Sequence, residues 1–207
     1  MTRVRVKICG ITLPDDARHA ESCGADAIGL VFYPGSARCV SVEQGVAIAR
    51  AAGPFLTTVA LFVNPEPALV REVLAEVKPR LLQFHGDESP AFCEGFAHPY
   101  LKAIRVRPEL DLSSEIQAFG GASGILFDTW QADAYGGTGK RFDWALLRGV
   151  EQRFILAGGL NPDNVAQAID QVGPYGVDVS GGVESSPGVK DPEKVSAFIN
   201  AVHALAR

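Results

Sequence analysis

The sequence has few cysteines, no long apolar run and no excess of basic residues. Its four cysteines are Cys9, Cys23, Cys39 and Cys93. They form no Cys-x-x-Cys pair, so we expect reduced thiols rather than a disulfide framework or a zinc site. No stretch is apolar enough to span a bilayer, and the N-terminal residues contain no signal-peptide core. The net charge of −5 argues against a nucleic-acid-binding surface. We therefore expect a cytoplasmic protein with no nucleic-acid partner and no membrane partner.

What the sequence does contain is an alternation of short apolar segments and longer helical patterns. The eight predicted strands are Val4–Cys9, Ala27–Phe32, Phe55–Val63, Leu81–His85, Leu101–Val106, Gly124–Asp128, Phe154–Ala157 and Gly176–Ser180. Helix starts are predicted at Pro14-Asp15-Asp16, Ser41-Val42-Glu43, Asn64-Pro65-Glu66, Asn161-Pro162-Asp163 and Asp191-Pro192-Glu193. Such alternation over 207 residues, 47% of them hydrophobic, predicts an α/β fold. We expect one domain over residues 1–207, a (β/α)8 TIM barrel.

An open, doubly wound sheet is the alternative fold. That fold usually has five or six strands and a Gly-x-Gly-x-x-Gly turn after the first of them. Cys9-Gly10-Ile11-Thr12 is not such a turn, which favours the barrel.

Two glycine-containing loops near the end of the chain indicate a phosphate site. Leu156-Ala157-Gly158-Gly159-Leu160-Asn161 and Val179-Ser180-Gly181-Gly182-Val183-Glu184 each follow a predicted strand. In (β/α)8 barrels the loops after strands seven and eight frequently bind phosphate, together with a short extra helix. Bare backbone amides at Gly158, Gly159, Ser180 and Gly181 are therefore candidate phosphate ligands.

Three further polar side chains stand at predicted strand ends, where barrels carry their function. Cys9 could be an ordinary buried cysteine or a thiol at the rim. Asp128 could be a loop carboxylate or an acid, and His85 a structural histidine or a substrate contact. Our assignment of faces along the first strand places Lys7 opposite Cys9, pointing to the helices. We thus expect the substrate, rather than a resident lysine, to activate the thiol.

Arg38 follows a rigid turn, Tyr33-Pro34-Gly35-Ser36-Ala37, and its guanidinium suits a carboxylate or a phosphate. A solvated surface arginine is the other interpretation. The glycine-rich segment 134–141 superficially resembles a P-loop, but Ala134 and Arg141 stand where that motif requires glycine and a hydroxyl residue. We expect a mobile lid beside Asp128 instead.

An ordered set of short segments runs from the first strand towards the last helix. They are Lys7-Ile8-Cys9-Gly10-Ile11-Thr12, Gly24-Ala25-Asp26-Ala27-Ile28-Gly29, Phe32-Tyr33-Pro34 through Arg38, Phe62-Val63-Asn64, His85-Gly86-Asp87-Glu88, Lys102-Ala103-Ile104, Phe127-Asp128-Thr129, Gly136-Gly137-Thr138-Gly139, Phe142-Asp143-Trp144 and the two glycine loops. In this order they resemble the phosphoribosylanthranilate isomerase family, (β/α)8 enzymes of tryptophan biosynthesis. Phe84 and Gly181 depart from that family, which usually has leucine and a second serine there.

The resemblance implies an Amadori rearrangement of N-(5-phosphoribosyl)anthranilate to 1-(2-carboxyphenylamino)-1-deoxyribulose 5-phosphate. It implies Asp128 as general acid, Cys9 as general base, and Arg38 as the group that holds the anthranilate carboxylate. His85 is a further candidate for substrate binding. The substrate supplies its own electron sink, so we expect no cofactor and no metal, and a small phosphorylated aminosugar as the substrate.

Two other functions fit parts of the pattern. The histidine-pathway aminoaldose isomerase performs the same type of reaction with two aspartates, so Cys9 argues against it. A non-catalytic phosphosugar-binding module would keep the glycine loops and Arg38, but it has no need of a rim thiol paired with Asp128.

Overall fold

A computed structural model describes residues 3–129 and 143–205, and in it eight parallel strands close into a barrel. The strands are β1 (Arg5–Cys9), β2 (Ala27–Val31), β3 (Thr57–Phe62), β4 (Leu81–Phe84), β5 (Tyr100–Val106), β6 (Gly124–Thr129), β7 (Phe154–Leu156) and β8 (Gly176–Val179). Each strand pairs with the next in chain order, and β8 pairs with β1 to close the ring. The predicted (β/α)8 barrel is confirmed.

Seven α-helices lie within the described ranges and cover the outside of the barrel. They are α1 (Pro14–Ser22), α2 (Val42–Ala51), α3 (Pro67–Glu76), α4 (Pro90–Glu94), α5 (Leu112–Ala118), α6 (Val165–Val172) and α7 (Pro192–His203). A 3₁₀ helix, Trp144–Leu147, is the helical element described between β6 and β7. A second 3₁₀ helix, Gly181–Val183, follows β8 directly and leads into a small hairpin of β9 (Glu184–Ser186) and β10 (Val189–Lys190).

Two of the predicted helix starts, those of α2 and α7, have side-chain caps, whereas the starts of α1, α3 and α6 have none. Ser41 forms a capping box with Gln44 ahead of α2, and the Asp191 carboxylate accepts hydrogen bonds from the first backbone amides of α7. Each such cap satisfies amides that a helix cannot satisfy itself. The third strand begins later than predicted, because Leu56 donates its amide to the carbonyl of Gly53 and forms a turn. Phe55 lies in that turn and is 95% exposed.

The core has two layers, separated by the barrel wall. Val6 and Ile8 of β1 point outward and pack in the large cluster between strands and helices. Side chains of the other parity point into the barrel, where Cys9 packs with Val31, Leu61 and Val63. Successive side chains of a strand alternate between its two faces, so β1 contributes to both layers.

Two further predictions concern the segment after β6 and membrane-spanning helices. The proposed lid, residues 134–141, lies outside the described residues. Within residues 3–129 and 143–205, no helix has the length and apolar character needed to cross a membrane.

Candidate functional site

The eight residues predicted to form the site line one cavity at the carboxyl end of the barrel. They are Cys9, Arg38, His85, Asp128, Gly158, Gly159, Ser180 and Gly181. Cys9 ends β1, Asp128 lies at the end of β6, and His85 directly follows β4. The parallel strands all deliver their carboxyl ends to this side, which is why residues distant in sequence meet here. Their chemical roles stay predictions.

Cys9 lies at the floor of this cavity and is 5% exposed. Burial raises the pKa of its thiol, while the Lys7 ammonium opposes the shift by charge and by hydrogen bonding. The net direction is upward, so the thiol is the dominant form in the ligand-free protein at neutral pH.

The expected orientation of Lys7 was wrong. Lys7 points into the barrel beside Cys9, and its Nζ lies 3.0 Å from Oδ1 of Asp178. The period of two along a strand puts residues 7 and 9 on the same face, so the face assignment contradicted the rule that it used. A resident cation therefore does lie next to the thiol.

Asp128 belongs to a short chain of hydrogen bonds through His85 to Gln83. Its Oδ2 lies 2.9 Å from His85 Nε2, and Gln83 Nε2 lies 2.9 Å from His85 Nδ1. As the Gln83 amide is oriented, it donates to Nδ1, which leaves the proton of a neutral imidazole on Nε2, facing Asp128. Asp128 Oδ1 also accepts from the Thr129 amide at 2.7 Å. These partners fix the carboxyl group of Asp128 in the cavity.

Arg38 is held in place by Glu184, the last residue of the second glycine loop. Its Nε and Nη2 donate to the two carboxylate oxygens of Glu184 at 2.7 and 2.6 Å. Lys190 from the hairpin donates to the same carboxylate at 2.7 Å. Burial alone would raise the pKa of Glu184, but hydrogen bonds from Arg38 and Lys190 outweigh burial and lower it. The remaining N–H groups of the guanidinium can bind a ligand anion in the cavity.

The two glycine loops pack directly against each other. A Cβ at Gly182 would lie 1.9 Å from the carbonyl oxygen of Leu160, so only glycine permits this approach. On the β7 side, Asn164 donates its side-chain amide to the Gly159 carbonyl at 2.9 Å, which fixes that loop. The amides of Gly158, Gly159 and Gly181 thus lie on two loops locked together at the cavity wall, the arrangement that suits a phosphate group.

Residues that contact the predicted site without having been predicted for it include Lys7, Gln83, Asp178 and Glu184. Correct use of the two-residue period would have identified Lys7 from Cys9 and Asp178 from Ser180. No comparable signal pairs Glu184 with Arg38, because the two are separated by 146 positions. Among the described residues, no group of three or more His, Cys, Asp or Glu side chains is placed to hold a metal ion. The expectation that the reaction needs no metal or cofactor stays a prediction.

Comparison with known proteins gives a consistent result over nearly the whole chain. A sequence model of the N-(5'phosphoribosyl)anthranilate (PRA) isomerase family matches residues 6–201. N-(5'-phosphoribosyl)anthranilate isomerase from Neisseria gonorrhoeae is 50% identical over 208 residues, covering 100% of both chains. The enzyme of the same name from Cellvibrio japonicus is 54% identical over 209 residues, covering 100% of this chain and 97% of the relative.

Solved structures agree. The crystal structure of phosphoribosyl anthranilate isomerase from Thermotoga maritima superposes with a TM-score of 0.89 at 40% identity, covering 98% of this chain and 100% of that one. A phosphoribosyl anthranilate isomerase in complex with reduced 1-(o-carboxyphenylamino)-1-deoxyribulose 5-phosphate gives a TM-score of 0.86 at 39% identity, with the same coverage. This chain belongs to the N-(5'-phosphoribosyl)anthranilate isomerase family.

Proposed function

We propose that this chain rearranges N-(5'-phosphoribosyl)anthranilate to 1-(2-carboxyphenylamino)-1-deoxyribulose 5-phosphate, the aldose–ketose isomerisation of its family in tryptophan biosynthesis, by general acid–base catalysis. One observation carries the mechanism: a thiol, Cys9, and a carboxyl group, Asp128, line the same cavity as Arg38 and the two glycine loops. The cavity thus combines an acid and a base with anion-binding groups, as isomerisation of a substrate with two anionic ends requires.

Asp128 acts first, as the general acid. It gives a proton to the furanose ring oxygen, the bond from that oxygen to C1 breaks, and the nitrogen lone pair forms a protonated Schiff base with C1. His85 Nε2 lies 2.9 Å from Asp128 Oδ2 and positions the carboxyl group, so the proton that the ring oxygen receives is the one that Asp128 carries in its acid form. Asp128 and His85 together form the acid side of the site.

Cys9 acts second, as the general base. The iminium makes the C2 proton acidic, the Cys9 thiolate removes it, and the electron pair of that C–H bond forms the C1–C2 double bond of an enolamine. Tautomerisation of the enolamine gives the ketone. The iminium nitrogen accepts the electrons within the substrate, so the reaction is neither an oxidation nor a reduction overall.

Two anchors hold the substrate between acid and base. The backbone amides of Gly158, Gly159, Ser180 and Gly181 bind the phosphate, and Arg38 binds the anthranilate carboxylate. Fixing both ends places C1 and C2 near the reacting side chains, which is the positioning contribution that catalysis requires. We also propose that the enzyme works in the cytoplasm on this small phosphorylated aminosugar.

The direct test is an anthranilate-fluorescence assay with freshly generated phosphoribosylanthranilate. We expect a loss of fluorescence that depends on the protein and gives the carboxyphenylamino ketose by mass spectrometry. Calorimetric binding of the substrate without turnover would overturn the proposal, because a binding module would behave in that way. The histidine-pathway aminoaldose serves as the comparison substrate, and exclusive turnover of that compound would reassign the enzyme.

A further inference from the structure

We infer that Lys7 is a positioning residue for this reaction: its ammonium group stabilises the thiolate form of Cys9, and Asp178 holds the ammonium in place. The inference rests on the proposed function for its meaning in catalysis. The effect of Lys7 on the ionisation of the Cys9 thiol does not depend on that function and can be tested in the ligand-free protein.

The register of the barrel brings Lys7 and Asp178 together. Their Cα atoms are direct partners where β1 pairs with β8, and both side chains point into the barrel. The ion pair spans 3.0 Å, and its side chains are 5% and 7% exposed. An ammonium this deeply buried keeps its charge only when an anion accompanies it. Asp178 thus keeps a cation where burial alone would remove it.

Gly29 allows Lys7 and Cys9 to meet. It is the β2 partner of Cys9, and a Cβ placed on it would lie 2.7 Å from Cys9 Sγ and 3.0 Å from Lys7 Nζ. Both polar atoms therefore converge over the one position in β2 that has no side chain. Sulfur and ammonium share this space, close enough for charge and hydrogen bonding between them.

The other charged groups around the thiol come from four parts of the fold: β8, the hairpin, β6 and the segment after β4. Asp178 on β8 disfavours the thiolate, and Lys190 from the hairpin favours it more weakly than Lys7 does. Asp128 on β6 and His85 after β4 act on Asp178 with opposite signs. Burial alone would lower the pKa of Lys7, but Asp178 and the Cys9 sulfur together raise it above its usual value. Lys7 is thus charged at neutral pH.

This arrangement predicts opposite effects for the two members of the pair. Loss of the Lys7 charge removes the main stabilisation of the thiolate, so the pKa of Cys9 rises further. Replacement of the Asp178 carboxylate by a neutral amide makes the thiolate the nearest anion to Lys7, so the pKa of Cys9 falls. A merely structural pair would not give shifts of opposite sign.

The experiment follows thiolate ultraviolet absorbance against pH in the ligand-free protein. The trace of the same variant with an added Cys9→Ala change is subtracted, which removes the other three thiols and the tyrosines. We expect Lys7→Met to raise the midpoint by about one pH unit or more and Asp178→Asn to lower it by a similar amount. Lys7→Arg should stay close to the unaltered protein. Arg5→Met, on the same strand face but at the opposite end of the barrel, is the matched control and should not move the midpoint.

Shifts of Lys7→Met and Asp178→Asn in the same direction, or no shift in either, overturn the inference. If Lys7→Met does not fold, the other two variants decide. The inference is wrong if the thiol midpoint does not fall in Asp178→Asn. It is also wrong if the midpoint rises in Lys7→Arg, which keeps the positive charge.

The kinetic counterpart separates this inference from the proposed function. The acidic limb of the kcat/KM profile should move with the thiol midpoint in each variant. If Cys9→Ala retains turnover, the base role fails, while the absorbance titration still decides whether Lys7 controls the thiol. If the midpoints shift as expected but the kinetic limb does not follow them, the link to catalysis is wrong.

Discussion

The two ends of the barrel treat charged side chains in opposite ways. At the carboxyl end two ion pairs are almost fully enclosed, with side-chain exposures of 5% and 7% for Lys7 and Asp178 and of 13% and 4% for Arg38 and Glu184. At the amino end Arg5 and Asp26 pair in the open, with exposures of 46% and 23%. These two pairs are buried, whereas the pair at the amino end is accessible to water.

The difference in burial between these ion pairs indicates which of them serve stability and which serve function. An exposed pair costs little to form and contributes little, about 0 to 1 kcal/mol. A buried pair gains little over apolar packing, yet loss of one partner leaves an uncompensated charge. We therefore propose that these two enclosed pairs serve the proposed reaction: one lies beside Cys9, the proposed base, and the other holds Arg38, the proposed anion-binding group. Five changes, ordered by expected effect, test this contrast.

Cys9→Ala should have the largest effect. Removal of the base should lower kcat by about 10²- to 10⁴-fold with KM similar, because the loss falls on the transition state. Steady-state kinetics measure it, with the exposed Cys39→Ala as the matched thiol control. A kcat near that of the unaltered enzyme would remove Cys9 from the mechanism.

Asp128→Asn should lower kcat by a similar factor. The amide preserves the shape of the side chain and its hydrogen bond from the Thr129 amide, but it has no acidic proton for the ring oxygen. Kinetics combined with an unchanged thermal midpoint would show that only chemistry is lost. Unchanged turnover would instead move the acid role to His85, which adjoins Asp128.

Arg38→Met should raise KM for the substrate by about 10- to 100-fold, since a charge-assisted contact to a carboxylate is lost. Inhibition by inorganic phosphate should change little, because the glycine loops hold that end. The measurement compares the change in KM for the substrate with the change in the inhibition constant of phosphate. Equal weakening of both would place Arg38 at the phosphate end and reverse the proposed orientation.

Glu184→Gln should destabilise the protein in a pH-dependent way. The folded-state pKa of Glu184 is lowered, so its carboxylate stabilises the fold above its unfolded pKa of about 4.3, and that contribution is lost as pH falls through the folded value. The difference in Tm between the variant and the unaltered protein should thus be largest near neutral pH and should disappear under acidic conditions. A difference that does not depend on pH would contradict the charge assignment.

Arg5→Met should have the smallest effect. Its partner Asp26 also accepts from Arg3 and from the Val6 amide, so loss of the exposed contact at 3.3 Å should cost less than about 1 kcal/mol. Denaturant unfolding gives the stability and kinetics give an unchanged kcat. A large loss of kcat from this end of the barrel would erase the distinction between the two ends.

The sequence predicts the fold well because its signal is local and repeated. Eight apolar segments and capping residues such as Ser41 and Asp191 indicate their own elements without long-range information. The late start of β3 escaped prediction because Phe55 is apolar and strand-like in composition. A turn formed by backbone hydrogen bonding, which composition does not reveal, leaves it in solvent instead.

The site residues also divide into those that the sequence could predict and those that it could not. Cys9, His85 and Asp128 could be placed because parallel strands all deliver their ends to one side. The partner of Arg38 could not, since contact with Glu184 depends on how two loops cross the mouth of the barrel. For Lys7 the information was present in the alternation of side chains along the strand, and the wrong face assignment concealed a cation beside the thiol.

The closing of the barrel between its first and last strands has a consequence for the order of synthesis. Lys7 and Asp178 are 171 positions apart, so a growing chain makes the thiol strand at the outset and its counter-ion near the finish. A ribosome-bound chain that has not yet released β8 has Lys7 without its anion and lacks the second glycine loop. Catalytic competence should therefore arise only after β8 has paired with β1.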